Sequence, residues 1–421
     1  MKRVFHHLGS LRLTVALLVC SMLIVFFGTL DQVDWGVGTV QKHYFESLIV
    51  AYPISPHSWA NWAVLGPVGP GLANLGFRLP MPGGFLVGGL LLINLVAAHF
   101  RYFKPGWKRT GIAITHAGVL LLVVAGFATA YFQRESMTSI PEGAAADWAE
   151  DFVKHEIVLT DMSDPAKDRV TVVPEDLIRD KTSGGVYDVP GTTLRIRVHT
   201  YWANGGIVMP FQASQFPGIE PVRVDHGVAA QMPLRIVARP EQFSQNAANT
   251  PVAVVEIADR DRSLGTWLIA APQGPPMLTK LFAPQPFAYD GRSCAIALRP
   301  ARTYFPFALR LNTFTHDVYA GTDIPKNFAS DITLADPREA APRDVTISMN
   351  KPLRHGGYTF YQASFFPDPE TGRMTTRLQT VRNPSYLLPY LAVFLVGAGM
   401  LVQFGITLAG FIAGKTTGTA R

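Results

Sequence analysis

Four long apolar segments constrain this chain more than any other feature. A helix needs about 20 mostly apolar residues to cross the hydrocarbon core of a bilayer. Residues 11–30, 83–100, 111–132 and 386–413 each approach or exceed that length, and the last is long enough to cross with a tilt. The first could in principle be a cleaved leader. Its apolar run is too long for a usual signal core, and the residues that follow, Asp31, Gln32, Val33 and Asp34, offer no small-x-small cleavage site. It is therefore expected to remain as a helix. Composition agrees: charged residues make up 16 % of the chain, against roughly 25 % in an ordinary soluble protein.

The formal charge of +6 would suit nucleic acid if it formed one patch. Instead, many of the cations flank the apolar segments. Lys2, Arg3 and Arg12 lie at the first, Arg101, Lys104, Lys108 and Arg109 between the second and third, and Lys415 and Arg421 after the fourth, with no acid in these three flanks. Short loops rich in Lys and Arg stay in the cytoplasm. Four spans put all three basic flanks on one side, so the expected topology is self-consistent. Residues 31–82 and 133–385 then lie outside, and no nucleic-acid role is expected.

The outer region 133–385 reads as strands between turn signals. In 192–201 (TTLRIRVHTY), Leu194, Ile196 and Val198 alternate with Arg195, Arg197 and His199, the period-2 pattern of a half-buried strand. PLRIVAR, PVAVVEIAD, CAIALR, FALRLNTF and DVTISM read the same way, with Pro, Gly, Asn and Asp clustered between them. The expected fold is a membrane protein of α+β class: four transmembrane helices and one large extracytoplasmic β-rich domain, a sandwich or irregular antiparallel sheets. The expected units are 1–30 (flank and first span), 31–82 (outer loop), 83–132 (second and third spans), 133–385 (β domain) and 386–421 (fourth span and tail). Trp59, Trp62, Pro67 and Pro70 make the outer loop either an interfacial segment or a soluble one. Two cysteines, Cys20 and Cys294, form no Cys-x-x-Cys and no Cys-x-x-Cys-His, so the chain has neither a dithiol redox motif nor a covalent c-type haem site.

Several segments resemble one family. GTLDQVDWGVGTVQKHYFES (28–47) carries a Gly-Thr, a Gln and a Tyr-Phe pair after the first span. LPMPGGFLVGGLLLINLVAAHFRYF (79–103), GIAITHAGVLLLVVAG (111–126), TFTHDVYAGTDIPKNFASDITL (313–334) and NPSYLLPYLAVFLVGAGMLVQF (383–404) add to it. The sharpest segment is DVTISMNKPLRHGGYTFYQASF (344–365), with Asn-x-Pro-Leu followed by Gly-Tyr-x-Phe-Tyr-Gln. Together these resemble the ResB-like proteins, also called CcsB, of cytochrome c assembly by System II. The resemblance covers both ends and thins across 140–300.

That resemblance implies a subunit of the bacterial inner (plasma) membrane, multi-pass, with its large domain on the periplasmic side. It implies a CcsA-type membrane partner with a tryptophan-rich haem motif, haem b as a transient passenger, and apocytochrome c as client. The pair moves haem across the membrane and joins it to Cys-x-x-Cys-His. This chain has seven tryptophans but no Trp-Trp pair, so it is expected to share or lack the site of bond formation. No catalytic residue is assigned to it. The alternative is a membrane-anchored ligand-binding or scaffold protein that stabilises a partner without touching haem.

Imidazole is a common axial ligand of haem iron, and ionisable groups inside a bilayer are costly and usually functional. His116 is expected about five residues into the third span, roughly 8 Å deep at 1.5 Å per residue. His99 is expected at the inner end of the second. Both are candidate haem-binding residues, and His116 is the expected axial ligand of the iron, with small neighbours (Thr115, Ala117, Gly118) that allow close approach. In the resemblance, the opposite ligand comes from the partner. The bland readings are a helix–helix hydrogen bond for His116 and an ordinary interfacial ring for His99. His316 and His355 read as surface or turn residues, and His6 and His7 as solvated. Asn350–Leu353 and Tyr358–Gln362 offer either a docking surface for partner or apocytochrome or, on the favoured structural reading, a turn and an aromatic strand, with Gly356-Gly357 supplying a positive φ. The Gly-rich faces with Gly88, Gly89, Gly397 and Gly399 are expected to meet the partner.

Overall fold

The computed structural model of the chain describes residues 7–53, 78–102, 106–165, 167–180, 185–239, 241, 249–272, 276–321, 325–368 and 371–418. Trp59, Trp62, Pro67, Pro70, Lys104 and His6 lie outside the described residues. Contacts divide the chain into two units. One comprises Met1–Arg134, His355–Tyr358 and Val381–Arg421, the other Glu135–Arg354 and Thr359–Thr380.

The first unit is helical. Four helices are long and apolar enough to cross a membrane: α1 (Leu11–Trp35), α2 (Gly84–Tyr102), α3 (Thr110–Phe132) and α4 (Leu387–Gly418). The expected spans are all present. Helix α1 continues to Trp35, five residues past the expected boundary at 30. Asp31 falls inside it and is buried, where it accepts a hydrogen bond from the equally buried Tyr44. That bond lets a carboxylate sit in the helix, and Gly36, at φ 74°, ends it. Tyr44 comes from a short π-helical turn, Gln41–Phe45. β1 (Ile49–Pro53) and β2 (Arg78–Pro82) then close an antiparallel pair.

Polar bonds and missing side chains hold the helices together. Asn94, buried in α2, accepts from the Thr14 hydroxyl at 2.7 Å and donates to the carbonyl of Leu8 at 2.5 Å. It thereby ties α2 to the start of α1. Lipid gives no hydrophobic drive for helix pairing, so close backbone approach and such bonds must supply it. Helices α3 and α4 meet through glycine: a Cβ on Gly399 would lie 2.5 Å from the Thr115 amide, and one on Gly118 2.8 Å from Val396. The Gly face therefore divides. Gly399 packs on α3, and Gly88 faces Phe127 of α3. Gly89 and Gly397 have no neighbour within 4 Å and stay open to a second chain.

The second unit is the β-rich domain. Its largest sheet has ten strands: β3 (Arg134–Pro141), β4 (Ala145–Asp161), β5 (Arg169–Pro174), β12 (Gln285–Tyr289), β13 (Arg292–Val318), β14 (Pro325–Ala335), β15 (Arg343–Ser348), β16 (Leu353–His355), β17 (Tyr358–Pro367) and β18 (Met374–Arg382). The main path runs β15-β14-β13-β4-β3-β18-β17-β16. The segments CAIALR and FALRLNTF, which read as two strands, are one strand, β13. Its pairing with β4 slips between Pro300 and Arg302 and again between Tyr304 and Leu309. Irregularities of this kind accommodate prolines, here Pro300 and Pro306, that a regular ladder rejects.

A second sheet orders β11-β10-β7-β6, from β6 (Gly185–Asp188), β7 (Leu194–Trp202), β10 (Val252–Asp259) and β11 (Arg262–Ala270). β7 alternates as expected, with Leu194, Ile196 and Val198 buried and Arg195, Arg197 and His199 exposed. Those buried residues share one core with Ile157, Leu159, Ile296 and Leu298 of the large sheet. The two sheets therefore stack as a sandwich. β10 does not alternate. Val255 and Ile257 face that core, whereas Val252 and Val254 face a second one, with Leu234, Ile236 and Phe282. The unbroken apolar run Val252–Val255 is the sign of a strand covered on both faces.

Candidate functional site

Helices α2 and α3 run antiparallel through a short connection, so the end of one lies beside the start of the other. His99 is three residues from the end of α2, and His116 is six residues past the start of α3, roughly 9 Å along its axis. Their rings meet with centroids 5.8 Å apart and planes at 47°. Both line one recess of about 150 Å³, with Leu95, Val96, Phe100, Ala113, Ala117 and Leu120 completing its apolar walls. The sequence ranked the two histidines separately. The structure makes them one feature.

The His116 ring is oriented by its own helix. Its Nδ1 lies 2.8 Å from the carbonyl of Ile112, one turn back. A carbonyl only accepts, so Nδ1 donates in this bond. A metal-ligating imidazole holds its second nitrogen in the same way, donating to a backbone carbonyl. Thr115 next to it bonds back to Gly111, and Gly111, Thr115 and Gly118 all face α4. Packing on α4 thus fixes the rotation of α3 that presents His116 towards α2.

The donor set is two imidazoles in an apolar setting, which suits iron in a porphyrin better than a hydrated cation. At about 150 Å³ the recess is smaller than the roughly 300–1,000 Å³ that enclose a drug-sized ligand. It is too small to enclose a porphyrin by itself.

The motifs of the β unit also come together. The curled large sheet folds its strands face to face. Ser330 on β14 reaches Gln362 on β17 at 2.7 Å and Thr376 on β18 at 2.8 Å, although several strands separate them along the sheet. Phe360 packs edge-on against the stacked pair of Phe305 and Phe307, at 5.5 and 6.1 Å. Tyr358–Gln362 is therefore a packed aromatic strand, as expected. Gly356 and Gly357 both take positive φ, 58° and 82°. His316 is on the surface, as expected, but it is not isolated: it stacks on Phe328 and Phe365. Cys20 and Cys294 are free, and Cys294 is buried.

Sequence reading missed a buried polar knot in the β unit. Glu175 begins a short helix (Glu175–Asp180) and accepts from the His155 amide at 2.8 Å, the Tyr201 hydroxyl at 2.6 Å and Arg179 Nε at 2.8 Å. Burial alone would raise its carboxyl, but the hydrogen bonds from His155, Tyr201 and Arg179 outweigh it and hold the pKa down at about 2. No local motif announces such a group, because its partners come from three separate elements.

Residues 291–389 match the ResB-like family. Protein NrfI of Wolinella succinogenes is 34 % identical over 112 residues, which cover 27 % of this chain. The chain spans only 12 % of that relative's length. The matched family segment holds the aromatic strand, six of the ten strands of the large sheet (β13 to β18) and His316. Of the segments that the sequence singled out, the match takes in 313–334 and 344–365, and over residues 291–389 the chain is similar to the ResB-like family.

Proposed function

We propose that this chain is a haem-handling subunit of a membrane-bound cytochrome c assembly complex. The observation that carries the reading is the His99–His116 recess, in which His116 donates from Nδ1 to the Ile112 carbonyl. In this reading haem b is cargo. It enters on the side of the basic flanks, the cytoplasm, and His116 Nε2 takes one axial position of its iron. A partner of CcsA type covers the recess and supplies the opposite ligand. The small volume of the recess supports that division of labour. His99 borders the same site and keeps the second ring of the pair against the passenger. The β unit then lies on the extracytoplasmic side, where apocytochrome c receives the haem.

The apolar walls favour the macrocycle over a hydrated cation. The reading assigns this chain reception and orientation. It assigns no bond-forming group.

The test is complementation of a strain lacking the protein, scored by haem covalently bound to c-type cytochromes. His116→Ala should abolish maturation while the chain still assembles with its partner. Added imidazole should restore part of it, because a free ligand fills the vacated position. His99→Ala should have the smaller effect. Full maturation with His116→Ala sinks the assignment, and attachment of haem by this chain purified without a partner sinks the shared-site reading.

A further inference from the structure

The recess of His99 and His116 is built for only part of a haem. Its walls are apolar and its polar side chains are two imidazoles, with no cation or hydroxyl among them. The macrocycle suits such walls. Haem also carries two carboxylates on one edge, with its two vinyl groups on the opposite edge. A carboxylate taken out of water without a partner is costly. The carboxylate edge must therefore leave the recess, and a cation at the rim decides where.

The connection between α2 and α3 supplies three described cations, and the helical register sorts them. Arg101 lies seven residues after Asn94, on the face of α2 that is tied to the start of α1. Its guanidinium donates to the Gly9 carbonyl at 3.5 Å and lies over the Tyr102 ring at 4.6 Å, so it serves α1. On α3 the recess is lined by Ala113, His116, Ala117 and Leu120. Arg109 precedes them by four, seven, eight and eleven residues, the spacing of one helix face. It sits roughly 10 Å from His116 along the axis, on the side towards which helical side chains lean. Lys108 is one residue off that face, about 100° around the helix.

Arg109 is exposed, and among the described residues its guanidinium has no acid or carbonyl partner. Its backbone is nevertheless held. Gln403 of α4 accepts from the Ile112 amide at 3.2 Å and donates to the Lys108 carbonyl at 3.1 Å, and so bridges the residues on either side of Arg109. The Arg109 amide donates to the Gly106 carbonyl at 2.9 Å. The turn Trp107–Arg109 is thereby fixed on α4, with a cation at the end of the face that lines the recess.

We infer that Arg109 is the carboxylate anchor of the recess and sets the orientation of its passenger. This rests on the reading of the recess as a haem site and adds to it a residue and a direction. The guanidinium fork matches a carboxylate bidentately and keeps its charge at any working pH. With the carboxylate edge held at the basic flank, the vinyl edge points along α3 away from that flank. That edge is where thioethers to Cys-x-x-Cys-His form, so the passenger lies in the recess with its reactive edge leading.

The experiment uses the complex purified with its partner in detergent and freed of haem. It is titrated with ferric haem and with ferric haem dimethyl ester, which keeps the iron and the macrocycle and caps both carboxylates. Binding is read from the part of the haem absorbance change that His116→Ala removes. The wild type should bind haem about tenfold more tightly than the ester, and high salt should shrink that preference. Arg109→Gln should bring haem down to the affinity of the ester and leave the ester unchanged. Arg109→Lys should keep most of the preference, and Lys108→Gln all of it. Equal affinity of the wild type for the two pigments, with binding that still depends on His116, overturns the anchor and leaves the recess reading standing. Equal losses of both pigments in Arg109→Gln also overturn it, because the residue would then only support the helix pair. Loss of the preference in Lys108→Gln, with Arg109→Gln unchanged, overturns it as well. If neither pigment binds through His116, the recess reading falls and the anchor falls with it.

Discussion

Glu175 gives the most quantitative prediction. Its carboxylate is almost fully buried, and it is ionised because three donors converge on it: the His155 amide, the Tyr201 hydroxyl and Arg179. In the unfolded chain the group has its ordinary value of 4.5, and in the folded unit about 2. A depressed folded pKa contributes stability that is present above the unfolded value and is lost as pH falls towards the folded one. The window here runs from about 4.5 down to about 2. At 1.36 kcal/mol per pKa unit, the ionised network contributes about 3 kcal/mol near neutral pH, as an upper figure. Glu175→Gln keeps the shape and removes the charge. Arg179 retains Glu241 at 2.8 Å, so the substitution strands no cation completely. For a domain of this size about 3 kcal/mol corresponds to a Tm lower by roughly 6–12 °C. The assay is thermal unfolding of the β unit in the full chain, followed by near-ultraviolet circular dichroism at pH 7 and at steps down to pH 2.5. The variant should start lower and lose less as the pH falls, so the two curves converge. Parallel curves through that window would refute the argument, because the stability would then not depend on the ionisation of Glu175.

Three further outcomes follow from the membrane unit. Gly399→Leu places a side chain where 2.5 Å is available against Thr115, so it should separate α3 from α4 and reduce the folded fraction in size-exclusion chromatography. Gly89→Leu and Gly397→Leu, with open space around them, should leave the isolated chain intact and weaken its co-purification with a partner. Reporter fusions at Ala145 should report the outside, and fusions after the fourth span the cytoplasm; the reverse pattern would invert the reading of the basic flanks.

The spans were legible because length and apolarity alone decide them. β7 was legible for a similar reason: Leu194, Ile196 and Val198 alternate without interruption, and one face is buried. β10 and β13 were harder. The second core behind Val252 and Val254 is built by residues far off in the chain, and Pro300 looks like an end until β4 is seen to slip past it. His116 and His99 were each visible as costly polar groups in apolar runs. Their meeting was not, because it depends on how Gly111, Gly118 and Gly399 set the rotation of α3. The aromatic cradle of His316 was hidden likewise: Phe365 reaches it only because the large sheet curls.

The central claim, that His116 is an axial ligand of a passing haem, is tested most directly by the haem content and spin state of the complex purified with its partner. The wild-type complex should carry haem with a six-coordinate, low-spin spectrum. His116→Ala should lose that signal while both chains still co-purify, and imidazole should bring it back. A His116→Ala complex with undiminished low-spin haem would contradict the claim, and loss of the signal in His99→Ala alone would move the ligand to α2.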